Sequence, residues 1–136
     1  MDRKSNDIQR HAVVAIIQKS DRFLFVKRAD HLENAPGYWC PVSGHVEGNE
    51  LQQEAVKREV KEEVGLDIVA HKNVCSILSH DNRYRLHFWT TKILSGEATI
   101  TSDEVAALRW VTLDEMKQLT PVFDEDVQVF ERFTGC

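Results

Sequence analysis

Residues 11–17 are almost all apolar and rich in β-branched side chains, the pattern of a strand covered on both faces. Lys19-Ser20-Asp21 reads as a turn, and residues 23–26 as a second buried strand. Residues 29–38 carry Ala35-Pro36-Gly37 and predict a long loop, the kind of segment that walls a pocket. Residues 50–64 then change period. Val56, Val60 and Val64 recur every fourth residue as one apolar helical stripe, and Gly65 follows where a left-handed terminating residue is wanted. Strands are predicted over 68–78, 84–93 and 107–111. Thr112-Leu113-Asp114-Glu115 has the spacing of a capping box opening a short helix, and an amphipathic helix is expected from 123 to 133. Strands outnumber helices, and helices are available for both faces of a mixed β-sheet. The expected architecture is an α/β sandwich.

At 136 residues the chain has room for one core, so a single domain over residues 1–136 is expected, with no need of a disulfide or metal to fold. With 17 basic against 22 acidic side chains, a formal charge of −5, the chain lacks the basic face of a nucleic-acid polymer binder. A small phosphorylated substrate is compatible with this charge, because a metal ion can supply positive charge locally. The apolar run of residues 12–17 is too short to span a bilayer, and residues 1–7 are too polar for a secretory signal, so no membrane partner is expected. Cys40, Cys75 and Cys136 are odd in number and widely spaced; they read as reduced thiols of a cytoplasmic protein. No His-x-x-x-His pair suggests a zinc hydrolase.

Glu59, Glu62 and Glu63 recur at i, i+3 and i+4, so their carboxylates share one helical face. A solvated acidic face is the ordinary reading of such a cluster. Two energetic terms oppose it. Like charges at this spacing cost roughly 0.2–0.5 kcal/mol per pair. Anions in the last helical turn oppose the macrodipole by roughly 0.3–1 kcal/mol each. A hard divalent cation turns this repulsion into coordination, since Mg²⁺ favours carboxylate oxygens, water and substrate phosphates.

The surrounding spacing is more specific. Gly44 is followed by five residues, Glu50, seven residues, Arg58-Glu59-Val60, one residue, Glu62-Glu63, one residue and Gly65-Leu66. This stretch resembles the complete signature of the Nudix hydrolase family, with its seven fixed residues and both apolar positions present. The flanks resemble the family as well, through paired amino-terminal strands, Trp39 before the glycine loop and residues 105–111 leading to Trp110. The resemblance implies an α/β/α sandwich with a loop–helix–loop motif and hydrolysis of a nucleoside diphosphate linked to another group. It also implies Mg²⁺, or Mn²⁺ as a substitute. Glu59 and Glu63 are then expected metal ligands, Glu62 a direct or water-mediated one, and the Gly44 carbonyl a further donor. Arg58 is expected to pair with Glu50 and hold the loop against the helix.

Outside the signature, Glu104 matches a position where relatives carry a metal-binding or catalytic glutamate, or else is a solvated loop acid beside Asp103. Glu47 and Glu97 are further candidates for the general base. Arg28, ending the second strand, resembles a phosphate-contacting arginine or is an exposed strand-end charge. Trp39, Trp89 and Trp110 could stack a base, although aromatics in or beside strands are more often packing residues. His45 lies close to the loop without being a ligand by default. On strand 84–89, Arg85, His87 and Trp89 share one face, which either lines the cleft or lies under a helix. Relatives often carry Pro-Gly before the signature glycine; Val42-Ser43 stands here, and the change is expected to stiffen that loop.

The resemblance implies a small nucleotide substrate, with (d)NTPs and oxidised (d)NTPs foremost. An ADP-sugar, a dinucleoside polyphosphate or dihydroneopterin triphosphate is the alternative; the last is hinted at by the Val-Ser-Gly loop. A non-catalytic nucleotide sensor is a third reading, and the intact carboxylates argue against it. Homodimers are common in the family.

Overall fold

The computed structural model describes residues 10–135, side chains of 134 and 135 excepted; the polar stretch 1–7 and Cys136 lie outside the described residues. Strand β1 (Arg10–Ile16) runs antiparallel to β5 (Ser43–His45) and parallel to β7 (Tyr84–Ser95), which pairs antiparallel with β6 (Asp67–Leu78). The order β5-β1-β7-β6 is a mixed sheet. A second sheet is built on β3 (Arg22–Arg28), with β2 (Gln18–Lys19) and β4 (Trp39–Cys40) on one edge and β8 (Val105–Val111) on the other. Helix α1 spans Gln52–Val64, α2 Leu113–Lys117 and α3 Asp124–Gly135.

The continuous apolar run of β1 is explained by its position. Val13, Ala15 and Ile17 pack with Val56, Val60 and Val64 of α1, whereas Val14 and Ile16 pack with Met116 of α2 and Phe130 of α3. Helices thus cover both faces of the strands, in the expected α/β sandwich. The amino-terminal strands are expected to pair with each other, and only the short β2 pairs with β3. The main strands β1 and β3 lie in different sheets, and both feed the same two core clusters.

The predicted capping box is present in α2: Glu115 N–H donates to Thr112 Oγ1 at 3.1 Å, and Thr112 N–H donates to Glu115 Oε1 at 2.9 Å. Gly65 caps α1 at φ +74°, a left-handed conformation that disfavours any side chain. The helix begins at Gln52 rather than at residue 50. Glu50 belongs to the preceding turn, where its N–H donates to the Glu47 carbonyl at 2.8 Å.

Ser43 and Gly44 form a strand rather than a free loop. They pair with Val14 and Val13, so Ser43 needs no left-handed conformation there.

Candidate active site

The segment β5 and the helix α1 bring Gly44 and Glu59 into contact. A Cβ added at Gly44 would collide with the Glu59 carboxylate, so glycine is required by close approach, not by a turn. Glu63, one helical turn on, lines the same cleft. Burial pushes the Glu59 and Glu63 carboxyls above the ordinary carboxylate range. For Glu63 the neighbouring Glu59 and the charge of Glu104 act in the same upward direction; for Glu59 the Arg58 guanidinium pulls the other way.

Arg58 organises the surroundings. Its Nε donates to Glu50 Oε2 at 2.7 Å and its Nη2 to Glu50 Oε1 at 3.0 Å. Nη2 also reaches the His45 carbonyl at 2.9 Å, and Nη1 reaches Glu59 Oε2 at 2.9 Å. The hydrogen bond from Arg58, with a second from the Glu47 N–H, holds the Glu50 carboxyl below its ordinary range. One guanidinium thus ties the β5 strand, the turn before the helix and a cleft carboxylate together. The expected pairing of Arg58 with Glu50 is observed.

Glu62 is placed differently. Its side chain is 58% exposed, contacts Arg58 Nη1 at 3.3 Å and does not line the cleft. The end of α1, where Glu62 and Glu63 oppose the dipole, is relieved by residues beyond the helix. Thr101 donates its N–H to the Glu63 carbonyl and its hydroxyl to the Glu62 carbonyl, and Thr99 N–H reaches the Val64 carbonyl.

Glu104 lines the cleft beside Glu63, and Arg28 enters it from the end of β3 while its Nε donates to the Asn34 carbonyl at 3.0 Å. Glu47 is also at the cleft; Glu97 is not. The predicted long loop supplies Leu32, Asn34 and Ala35 to the wall. Trp39, Trp89 and Trp110 do not line it; Trp89 instead donates Nε1–H to Gln52 Oε1 of α1 at 2.9 Å. The face of β7 that meets the cleft carries Tyr84 and Leu86. His87, on the opposite face, is buried against His11 and Ser76. His45 lines the cleft and stacks on Tyr84 with centroids 5.0 Å apart.

Sequence reasoning missed the contribution of α3 and the residue before it. Phe123, Glu125 and Asp126 all line the cleft. The available signal was Asp126 itself, an acid three and four residues before Val129 and Phe130 on the buried stripe of that helix.

The resulting cavity, of about 400 Å³, is lined among the described residues by seven carboxyl side chains, with Arg28 the one arginine or lysine. Such a lining repels phosphate unless cations enter with it. Among the described residues no group of three or more acidic, histidine or cysteine side chains is arranged to hold a metal ion by itself. A pair of cleft carboxylates, Glu59 and Glu63, suits Mg²⁺, which keeps waters and takes substrate oxygens. The donor set is all oxygen and fits a hard divalent ion.

The chain matches the NUDIX domain family model over residues 8–133. It is 28% identical over 121 residues to the CTP pyrophosphohydrolase of Escherichia coli K12, covering 89% of this chain and 88% of that protein. The dihydroneopterin triphosphate diphosphatase of the same strain is 31% identical over 137 residues, with 89% and 88% covered. A MutT protein structure from Methanosarcina mazei Go1 superposes with a TM-score of 0.80 at 23% identity, covering 92% of each chain, which establishes a shared fold. Signature, fold and family match agree: the chain belongs to the Nudix hydrolase family.

Proposed function

We propose that this protein is a Mg²⁺-dependent pyrophosphohydrolase that converts a nucleoside triphosphate, ordinary or oxidised, and water into the monophosphate and pyrophosphate. The observation that carries this reading is the cleft itself, which among the described residues is lined by seven carboxyls and one arginine. Polyphosphate enters such a site only with divalent cations, and a carboxylate site with cations needs little further machinery for phosphoryl transfer.

Glu59, Glu63 and the Gly44 carbonyl would hold the metal, with Glu62 as a further direct or water-mediated partner. When bound, Mg²⁺, or Mn²⁺ in its place, neutralises the phosphates and acidifies coordinated water. Arg58, clamped to Glu50, positions Glu59. Arg28 binds phosphate, being the fixed cation of the cleft. Glu104, beside Glu63, accepts the proton of the attacking water.

Dihydroneopterin triphosphate is the second reading, favoured by the 31% identity to a diphosphatase of that substrate over most of both chains. No helix among the described residues is long and apolar enough to cross a membrane. A pyrophosphate-release screen with Mg²⁺ over nucleoside triphosphates, oxidised triphosphates and dihydroneopterin triphosphate, beside Glu63→Gln, tests the proposal. Release from the triphosphates that is lost in the variant supports it. Nucleotide binding without release points to a sensor.

A further inference from the structure

Arg28 lies in a cleft whose described walls carry seven carboxyls, and its charge is felt at Glu63. A flexible cation in such a setting is expected to collapse onto a carboxylate. Among the described residues, however, Arg28 makes no ion pair. Its Nε donates instead to the backbone carbonyl of Asn34 at 3.0 Å, and the thiol of Cys40 is its other side-chain partner. A hydrogen bond at Nε fixes the guanidinium plane and leaves the fork of Nη donors for a ligand.

The Asn34 carbonyl is aimed by the residue that follows it. Ala35 has φ +51°, in the left-handed region, although it carries a Cβ and precedes Pro36. Both features favour extended backbone. The residues after it are anchored to the end of β3. Gly37 N–H donates to the Arg28 carbonyl at 2.9 Å, and Arg28 N–H donates to the Tyr38 carbonyl at 2.8 Å. With that end held, rotation about the Ala35 N–Cα bond decides where the preceding carbonyl points. An ordinary negative φ would turn it by roughly 120°, away from Nε. Backbone strain of this kind persists only where the surrounding structure holds it, and it gathers at ligand clamps.

We propose that the left-handed backbone at Ala35 is a positioning device for phosphate binding. It aims the Asn34 carbonyl at Arg28, and this clamp keeps the guanidinium off the cleft carboxylates and available to the polyphosphate. Ala35 is thus a positioning residue that acts through Arg28. This inference rests on the reading of Arg28 as the phosphate-binding cation.

The test is a double-mutant cycle of Ala35→Val with Arg28→Ala, beside Ala35→Gly and Ala35→Asn, read as KM and kcat for a nucleoside triphosphate with Mg²⁺. Valine resists positive φ, whereas glycine and asparagine accept it. Asparagine is close to valine in size, so it also controls for crowding at this cleft wall. Ala35→Val should raise KM on the order of 10-fold, as for a weakened hydrogen bond to a charged group. Ala35→Gly and Ala35→Asn should retain a KM near that of wild type. In the Arg28→Ala background, Ala35→Val should add nothing, because its effect passes through the missing guanidinium. An equal effect of Ala35→Val in both backgrounds, the outcome for a loop residue with a structural role alone, overturns the proposal. So does an unchanged KM in Ala35→Val, or a rise as large in Ala35→Asn. Calorimetric binding of a non-hydrolysable α,β-methylene nucleoside triphosphate with Mg²⁺ measures the same cycle without turnover. Coupled binding without hydrolysis of the ordinary triphosphate supports the clamp and counts against the enzyme reading alone. Hydrolysis with uncoupled binding overturns the clamp alone.

Discussion

Arg58 grips both oxygens of Glu50 across eight residues of sequence, with Nε and Nη2 at 2.7 and 3.0 Å. The same guanidinium holds Glu59, so the turn before the helix and the cleft carboxylate share one support. Both members of the Arg58–Glu50 pair are largely sheltered, with side chains 23% and 16% exposed. Arg58→Lys keeps the charge but removes the planar fork. The expected loss of stability is about 1–3 kcal/mol, the range for charge-assisted hydrogen bonds. Turnover should fall further than the unfolded fraction explains, because Glu59 loses its anchor. Urea midpoints measured beside kcat separate the two effects.

Gly44→Ala isolates the close approach of backbone and carboxylate. The added methyl group meets the side chain of Glu59, which swings aside more easily than the strand moves. Turnover should drop on the order of 100-fold, as for a displacement of about 1 Å at a reacting centre, with little change in circular dichroism. A variant as active as wild type would show that Glu59 does not work from this position.

Much of this fold is legible in the sequence alone. The β-branched run of β1, the valine stripe of α1 and the capping box of α2 each depend on local periodicity, and each appears where the sequence places it. The Arg58–Glu50 pair is legible through its spacing in the signature. The two- and three-residue strands β4 and β5 are not, because so few residues carry no period and their pairing depends on register with β3 and β1. The relief of the α1 terminus by Thr99 and Thr101 is hidden for a similar reason, since those residues lie far along the chain. Asp126 escapes notice because its burial depends on how α3 meets the cleft.

The raised carboxyls give the metal-free protein an inverted pH response. Glu63 and Asp126 hold protons more tightly folded than unfolded. The folded state therefore binds more protons once pH exceeds the ordinary carboxylate values, and stability falls as pH rises from about 4 to about 8. Denaturation of the chelated protein at pH 5.5 and pH 8 should show greater stability at the lower value. Glu63→Gln should narrow the difference. Equal stability at both pH values, with the fold intact, would contradict the burial of these groups as ionisable carboxyls.

Cys40 is buried and feels the charge of Asp126, and burial pushes its thiol up to about 12. A neutral, enclosed thiol is a poor nucleophile. Alkylation of the folded protein at pH 8, followed by mass spectrometry, should leave Cys40 unmodified while the more accessible Cys75 reacts. Rapid labelling of Cys40 would place it outside the core.

The most direct test of a cation-dependent carboxylate site is pyrophosphate release from a nucleoside triphosphate as Mg²⁺ is titrated into wild type, Glu62→Gln and Glu63→Gln. Wild type should be inactive with chelator yet remain folded, and then gain activity saturably. Glu63→Gln should lose on the order of 100-fold or more, and Glu62→Gln less, because of the two only Glu63 lines the cleft. Hydrolysis that persists without divalent cations, or a Glu63→Gln protein with wild-type rate and Mg²⁺ dependence, would contradict the assignment.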